Sequence, residues 1–189
     1  VAVGDVSGKA APAALYAALV SGILRSLAPQ HLSPAQMLTA LNDQLQERKL
    51  ASQYVTMLMA VWDDFNQTLQ IANAGSVQPL FVSNSADGVT VKTIKAEGFP
   101  LGLFPNVEYE EFTLSTQPGD SIVFFSDGIV DAENADGEMF GTDRLRHVLQ
   151  SQPNSTATST VAAILNSVSD FQSGIEHFDD ETVVVLRVL

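Results

Sequence analysis

Residues 54–72 read YVTMLMAVWDDFNQTLQIA, and this stretch decides the class of fold. Its two ends, 54–62 and 68–72, are rich in β-branched, aromatic and other apolar residues, which is typical of strands. The residues between them, 63–67, are mostly polar and form a segment short enough to turn a hairpin. Strands joined by so short a turn pair antiparallel, so the stretch predicts an antiparallel sheet.

Helices and further strands are predicted on both sides of this hairpin. Upstream, 1–3 read as the end of a strand, and apolar residues recur at helical spacing in 11–28 and 33–49. Downstream, the pattern predicts strands at 79–82, 89–94, 109–114, 121–126 and 182–189, and helices at 142–149 and 156–171. The strands SIVFFS and TVVVLRVL are almost wholly apolar, which indicates burial. This order favours antiparallel sheets with helices packed outside them over a doubly wound parallel sheet.

Composition limits the classes of function. The chain has 189 residues, 46% of them hydrophobic, which suits one domain with a substantial core. The net charge of −13 argues against binding to nucleic acid or anionic lipid. We expect no membrane contact, because no apolar run approaches the roughly 18 residues of a membrane span. Cysteine is absent from the sequence, which excludes a disulfide framework and a thiolate zinc site, and the cytoplasm is the expected compartment.

The opening stretch, VAVGDVSGKAA, suggests a phosphate site of one of two kinds. A phosphate-binding loop of the NTPase type needs four residues between its first glycine and a Gly-Lys-Ser/Thr sequence. Here only three residues separate Gly4 from Gly8, and Ala10 stands where the hydroxyl would be. The other kind of site is a carboxylate that holds a metal ion, which suits an acidic protein that handles phosphate.

Carboxylates stand at the predicted ends of three apolar strands. Asp5 follows VAV, Asp127 follows SIVFFS, and Asp179 with Asp180 precedes TVVVLRVL. If these carboxylates converge, they form an oxygen-ligand site for Mg²⁺ or Mn²⁺. The alternative is that each is an ordinary turn residue, since Asp and Gly are common there. The acidic, glycine-containing segment 131–138 is interpreted as a flap beside such a site.

Five segments in order carry a family resemblance: GDVSGKAAPAAL (4–15), NAGSVQPLFV (73–82), GFPLGLF (98–104), PGDSIVFFSDGIVDAENADGEMFG (118–141) and FDDETVVVLRV (178–188). They resemble the bacterial SpoIIE/RsbU branch of the metal-dependent serine/threonine protein phosphatases (PPM family, type 2C fold). The resemblance implies an α+β sandwich in four layers, αββα, with two packed antiparallel sheets between flanking helices. It covers residues 1–189 as a single phosphatase domain. The family has a further strand pair before GDVSGK, so the sequence is expected to be an N-terminally truncated catalytic domain.

The resemblance also implies a centre of two Mn²⁺ or Mg²⁺ ions, in which a water bridging the metals attacks the phosphorus. By motif, Asp5 would bridge the ions and the Val6 carbonyl would complete one of them. Asp127 and Asp179 would bind the other ion, with Asp180 beside it. Gly128 would allow close approach to the site and is, with Lys9, a candidate substrate-binding residue. Lys9 is interpreted either as a contact to the substrate phosphate or as an exposed lysine.

The function implied is a phosphoserine/phosphothreonine protein phosphatase that acts on a phosphorylated anti-sigma-factor antagonist. An upstream sensor or receiver domain in the parent chain would supply the signal. The helices predicted at 11–28 and 33–49 are candidates for regulation or for a homodimer contact. The alternative hypothesis is a non-catalytic, phosphatase-like binding module with an incomplete metal site.

Overall fold

The computed structural model describes residues 1–8, 10–47, 53–85, 88–174 and 179–189. Its internal contacts divide the chain into two compact units. The first unit comprises Val1–Ser76 and Ala96–Ser115, and the second comprises Val77–Lys95 and Thr116–Leu189.

The first unit contains an antiparallel sheet of four strands: β1 (Ala2–Val6), β2 (Val55–Asp63), β3 (Thr68–Ala74) and β6 (Glu111–Ser115). Their order in the sheet is β1-β2-β3-β6. The predicted hairpin is confirmed, with β2 paired to β3 from Met57↔Ala74 to Asp63↔Thr68. The Asp63 carboxylate accepts hydrogen bonds from the backbone N–H groups of Phe65 and Asn66, at 3.0 and 3.1 Å, which fixes the turn.

Two helices and a 3-10 turn belong to the first unit: α1 (Ala10–Leu27), the turn Ala28–Gln30 and α2 (Pro34–Glu47). Ser33 and Gln36 form a capping box before α2, because the Ser33 N–H donates to Gln36 Oε1 and the Gln36 N–H donates to Ser33 Oγ. Both helices bury one face in a core shared with β2 and β3. That core includes Tyr16, Val20, Ile23, Leu27, Leu38, Leu41, Leu45, Met57, Met59, Ala72 and Ala74.

By length and composition alone, the helical segment Ala10–Gln30 is apolar enough to cross a membrane. This corrects the expectation that no apolar run approaches the length of a span. The core helix of a soluble protein passes the same test. In this chain, the buried residues of α1 recur at helical spacing and contribute to the core of the first unit, which suits a packed amphipathic helix.

The second unit contains another antiparallel sheet of four strands: β4 (Leu80–Ser85), β5 (Gly88–Thr93), β7 (Ser121–Phe125) and β8 (Val183–Arg187). Their order in the sheet is β5-β4-β7-β8. All residues of β7 are buried, as predicted. The prediction of a buried strand is wrong for β8, whose residues are all half-buried, because this strand lies at the edge of the sheet.

Three helices belong to the second unit: α3 (Asp127–Val130), α4 (Gly141–Gln150) and α5 (Ala157–Gln172). Thr156 caps α5 by accepting a hydrogen bond from the Ser159 N–H at 3.1 Å. The core of this unit includes Leu80, Val123, Phe125, Ile129, Phe140, Leu145, Ile164 and Val168. The predicted class, α+β with two antiparallel sheets and flanking helices, is confirmed.

Candidate active site

The end of β7 places Asp127 at the start of a helical turn. Ser126 is extended, with φ −80° and ψ 163°, and α3 begins at the next residue. The Asp127 carboxylate accepts a hydrogen bond from the Gly128 N–H at 3.1 Å, and the Asp127 carbonyl accepts one from the Asp131 N–H at 2.8 Å. The alternative left open by the sequence was that Asp127 is an ordinary turn residue; the structure has a short helix that holds this carboxylate at its first position.

Ser126 joins the end of β7 to the acidic segment before β8. Its hydroxyl donates to the Asp180 carbonyl at 2.7 Å and accepts from the Thr182 N–H at 2.9 Å. The Ser126 N–H also donates to the Thr182 carbonyl at 3.0 Å. The Asp179 carboxylate accepts a hydrogen bond from the Asp180 N–H at 2.9 Å. The SDG and DDET motifs, far apart in sequence, therefore meet at one edge of the second sheet.

Gly128 permits this meeting because it has no side chain. A Cβ atom placed on Gly128 would lie 2.6 Å from the Asp180 carbonyl oxygen and 3.0 Å from its carbon, closer than real Cβ contacts. In this structure the backbone of Gly128 therefore lies close to that of Asp180, and a role of Gly128 in binding substrate stays a prediction.

A third carboxylate, on Asp131, belongs to the same cluster. Partial desolvation, followed by the negative charges of Asp127 and Asp179, raises the pKa of Asp131 above its ordinary value. The sequence interpretation assigned Asp131 only to a flap. Asp131 directly follows α3, four residues after Asp127, and this spacing is the signal that it would share a site with Asp127.

Asp131 and Asp179, but not Asp127, border a cavity of about 310 Å³ in the second unit. It is lined by Gly128, Asp131, Ala132, Glu133, Gln172, Asp179 and Glu181. Gln172, the last residue of α5, has no motif around it in the sequence and was not predicted to belong to the site.

The segment 131–138 lies beside the cavity as a closed turn. The Asn134 side-chain oxygen accepts hydrogen bonds from the N–H groups of Asp136 and Glu138, at 3.0 and 2.9 Å. Arg144 of α4 donates to the Met139 carbonyl at 2.7 Å and pairs with the Glu138 carboxylate at 3.1 Å. These bonds fix the segment that carries Asp131 and Glu133 to the cavity wall.

The remaining predicted site residues belong to the first unit. Asp5 lies within β1, opposite Thr56, and Val6 lies opposite Val55. The prediction that the strand ends at Val3 and that a glycine-rich turn follows is wrong. Gly4, Asp5 and Val6 also pair with β2 and therefore belong to the strand. Lys9 lies outside the described residues.

No group of three or more His, Asp or Glu side chains that could hold a metal ion occurs within the described ranges. His31 and His147 do not line the cavity, and His177 lies outside those ranges. The carboxylates of the second unit are nevertheless oxygen donors of the kind that a hard divalent ion prefers.

Solved structures of the same fold define the class of domain. The SiaA-PP2C domain of Pseudomonas aeruginosa matches 98% of this chain and 73% of its own, with a TM-score of 0.83 at 20% identity. The RsbU and RsbW domains of Rv1364c from Mycobacterium tuberculosis match 98% of this chain and 50% of theirs, with a TM-score of 0.78 at 19% identity. A structure of RsbX in complex with magnesium matches 97% of this chain and 78% of its own, with a TM-score of 0.66 at 16% identity. The chain thus has the fold of PP2C domains.

The chain belongs to the SpoIIE family. The sequence model of that family, described as Stage II sporulation protein E (SpoIIE), matches residues 1–189. Among curated relatives, phosphoserine phosphatase RsbU of Bacillus subtilis (strain 168) is 31% identical over 187 residues, which are 99% of this chain and 55% of that protein. The chain spans about half the length of this relative.

Proposed function

We propose that this chain is the catalytic domain of a metal-dependent phosphoserine/phosphothreonine protein phosphatase. The observation that carries the proposal is the hydrogen-bonded meeting of the segments that carry Asp127 and Asp179, beside a cavity that Asp179 and Asp131 line, in a chain of the SpoIIE family. RsbU, a relative that matches almost the whole of this chain, is named a phosphoserine phosphatase.

The carboxylates of the second unit suit a divalent cation. Asp127, Asp131 and Asp179 are close enough for two of them to raise the pKa of the third, so a nearby positive charge would stabilise the ionised cluster. We propose that Asp127 and Asp179 hold Mn²⁺ or Mg²⁺, with Asp180 beside them. The magnesium complex of RsbX supports this choice of ion. The roles of Asp5 and Val6, and the binding of two ions, remain predictions from the family resemblance.

Such an ion, when bound, supplies positive charge for the phosphoryl oxygens and lowers the pKa of a water molecule that it binds. The protein's own residues hold the acidic segment in place. Ser126 fixes the backbone of Asp180, and Gly128 lets that backbone approach α3. Without a cation, the acidic wall around Asp131 and Asp179 repels a phosphate group, so we expect activity to depend strictly on the divalent ion.

The substrate that we propose is a phosphorylated anti-sigma-factor antagonist. The resemblance to RsbU supports it, and so does a solved protein of the same fold in which RsbU and RsbW domains occur together. We further propose that the parent protein carries a sensor or receiver domain, acts in the cytoplasm and forms a homodimer.

The experiment is release of phosphate from a phosphoserine protein of this class, measured with and without Mn²⁺. Asp127→Asn and Asp179→Asn are expected to lower kcat/KM by about a hundredfold or more, because each removes a charge at the reacting centre. Asp136→Asn is the matched control, since Asp136 is an exposed aspartate of segment 131–138 that neither lines the cavity nor is among the charges that raise the pKa of Asp131. If Asp127→Asn hydrolyses the substrate at the rate of the unmodified chain, the proposed function is wrong.

A second candidate is a non-catalytic binding module of the same fold. It is favoured by the absence of a three-acid group suited to an ion in the described part of the chain. Calorimetric titration with Mn²⁺ separates the two hypotheses, because a binding module shows no saturable site that Asp127→Asn removes.

A further inference from the structure

The loop 98–104, GFPLGLF, exposes three large apolar side chains to water. Phe99 is 58% exposed, Leu103 is 41% exposed and Phe104 is 47% exposed. The rings of Phe99 and Phe104 pack edge to face, with their centroids 5.3 Å apart. We call these three residues the apolar patch. Single exposed hydrophobic side chains are normal on a protein surface, whereas a cluster of them indicates a binding surface.

Hydrogen bonds with buried residues hold the backbone of this loop in place. Leu101, which is fully buried, exchanges two backbone hydrogen bonds with Val55, at 2.8 and 3.0 Å. The buried Asn42 side chain donates to the Phe104 carbonyl at 3.1 Å and accepts from the Gly102 N–H at 2.8 Å. A loop held in this way presents its apolar side chains in a fixed arrangement, which lowers the entropy lost when a partner binds.

The apolar patch lies at the end of β2 that is next to the end of β1. Val55, the first residue of β2, pairs with Val6 on one side and with Leu101 on the other. Neighbouring strands are about 4.8 Å apart, so Leu101 lies about 10 Å from Val6. The family resemblance predicts that Asp5 and the Val6 carbonyl bind metal. A distance of about 10 Å is that of about three residues of extended chain, so a substrate residue near the phosphoserine can reach the patch.

The size and the charge of the apolar patch favour a protein substrate over a second copy of the chain. At about 150–250 Å² for a whole aromatic side chain, the exposed parts of the three residues amount to about 300 Å². A stable interface takes about 800 Å² from each partner, whereas a transient contact takes less. Residues 98–104 carry no charge, although the net charge of the chain is −13. A phosphorylated protein is therefore repelled less by this loop than by the acidic parts of the chain.

We propose that the apolar patch binds an apolar side chain of the protein substrate, a few residues from the phosphoserine. This inference rests on the proposed function and deepens it by naming the substrate class, a phosphoserine with a leucine-like residue nearby. Phe99, Leu103 and Phe104 are specificity-determining residues here, because they contact the substrate at a distance from the phosphate.

The test compares pairs of phosphoserine peptides that differ at one position, with leucine in one peptide and asparagine in the other. The position is varied through the residues on both sides of the phosphoserine, and kcat/KM is measured for each pair in Mn²⁺. At one position we expect leucine to be preferred by about tenfold, mainly in KM, since a shallow patch buries only part of the side chain. The preference is expected to persist as salt is added, because salt screens charges and not the burial of apolar surface.

Substitutions in the apolar patch connect this preference to its side chains. Phe99→Ser and Phe104→Ser each remove apolar surface and are expected to bring the leucine preference to about threefold or less. Phe99→Leu keeps an apolar side chain and is expected to retain most of the preference. Phe65→Ser is the matched control and is expected to keep the native ratio. Phe65 is 93% exposed, but it follows the far end of β2, about 25 Å from Val55.

Other roles for the apolar patch predict different results. If Phe99 and Phe104 only supported the fold, the serine variants would lower the unfolding temperature and leave the peptide ratio unchanged, which would overturn the proposal. If the patch joined two copies of the chain, the same variants would lower the mass measured by light scattering and leave the ratio unchanged, which would overturn it equally. Absence of leucine preference at every position would also do so.

Peptide binding without divalent ions separates this inference from the proposed function. Fluorescence anisotropy of the labelled phosphoserine peptides measures the leucine preference whether or not the peptides are hydrolysed. A leucine preference in binding that Phe99→Ser removes, with no hydrolysis in Mn²⁺, contradicts the proposed function and supports the apolar patch as a binding surface. Hydrolysis with no leucine preference in either assay contradicts the role of the apolar patch alone.

Discussion

The hydroxyl of Ser126 donates a 2.7 Å hydrogen bond to the carbonyl oxygen of Asp180, although the two residues are 54 positions apart. The same hydroxyl accepts a hydrogen bond from the Thr182 N–H, so one side chain closes the gap between the end of β7 and the acidic segment before β8. The register of β7 and β8 brings the two strand ends together, and Ser126 fixes the residues that extend beyond them.

Ser126→Ala is expected to loosen the acidic segment. It removes two hydrogen bonds of about 1 kcal/mol each and leaves their backbone partners to water. The unfolding temperature should fall by about 2–4 °C for each kcal/mol, as measured by thermal denaturation. Phosphatase activity should fall by about tenfold or more, since a small displacement of reacting groups is costly. Ser126→Thr keeps the hydroxyl and is the control; equal losses for both variants would contradict this role.

Gly128→Ala is expected to destabilise the second unit. The added Cβ would lie 2.6 Å from the Asp180 carbonyl oxygen, so the backbone of α3 or of the acidic segment must move. The cost expected for such overpacking is about 1–3 kcal/mol in the free energy of unfolding. Chemical denaturation measures this cost.

Gly22→Ala is the matched control for Gly128→Ala. Gly22 lies within α1, and a Cβ placed there meets nothing within 4 Å. Alanine at this position should stabilise the helix by about 0.5–1 kcal/mol. If both substitutions changed stability in the same direction, the close contact at Gly128 would not be the cause.

The strands and helices could be predicted from the sequence where the pattern was strong. The buried strand SIVFF is an example, because a wholly apolar run has no polar face to expose. The apolar pattern of β8 looked similar, but an apolar run does not reveal that its strand lies at a sheet edge and is half-exposed. In β1, pairing with β2 outweighed the turn preference of Gly4 and Asp5.

The candidate site was predictable only where acids stood at the ends of apolar strands. Asp127 and Asp179 stood out for that reason, and the structure brings them together. Gln172 could not be predicted, because it is one glutamine at the end of an ordinary helix. Its place in the cavity depends on tertiary packing of α5, to which sequence periodicity gives no access.

Asn73→Ala is expected to be among the most destabilising substitutions in the first unit. Asn73 is 1% exposed, and its amide donates to the carbonyls of Ser76 and Ala96, both at 2.9 Å, and accepts from the Ser76 N–H at 2.8 Å. Alanine leaves these buried backbone groups unpaired, at a cost of about 2–4 kcal/mol in the free energy of unfolding. Ser76→Ala keeps all three bonds, since Ser76 contributes only backbone atoms, and should change stability by less than about 0.5 kcal/mol. A similar loss from both variants would show that the Asn73 amide is not the cause.

Asp63 should make the stability of the protein depend on pH in the acidic range. The Asn66 side-chain amide, at 2.7 Å, together with the backbone N–H groups of Asn66 and Phe65, lowers the pKa of the Asp63 carboxyl below its ordinary value. Because the pKa is lower in the folded state, the stabilisation is fully present above the ordinary pKa and is lost as the pH falls through the lowered one. Asp63→Asn should therefore be less stable than the unmodified chain near neutral pH, with a difference that shrinks on acidification. Asn66→Ala removes the largest cause of the shift and should behave in the same way, and urea unfolding at a series of pH values measures both. A stability difference that stays constant down to about pH 2 would contradict the lowered pKa.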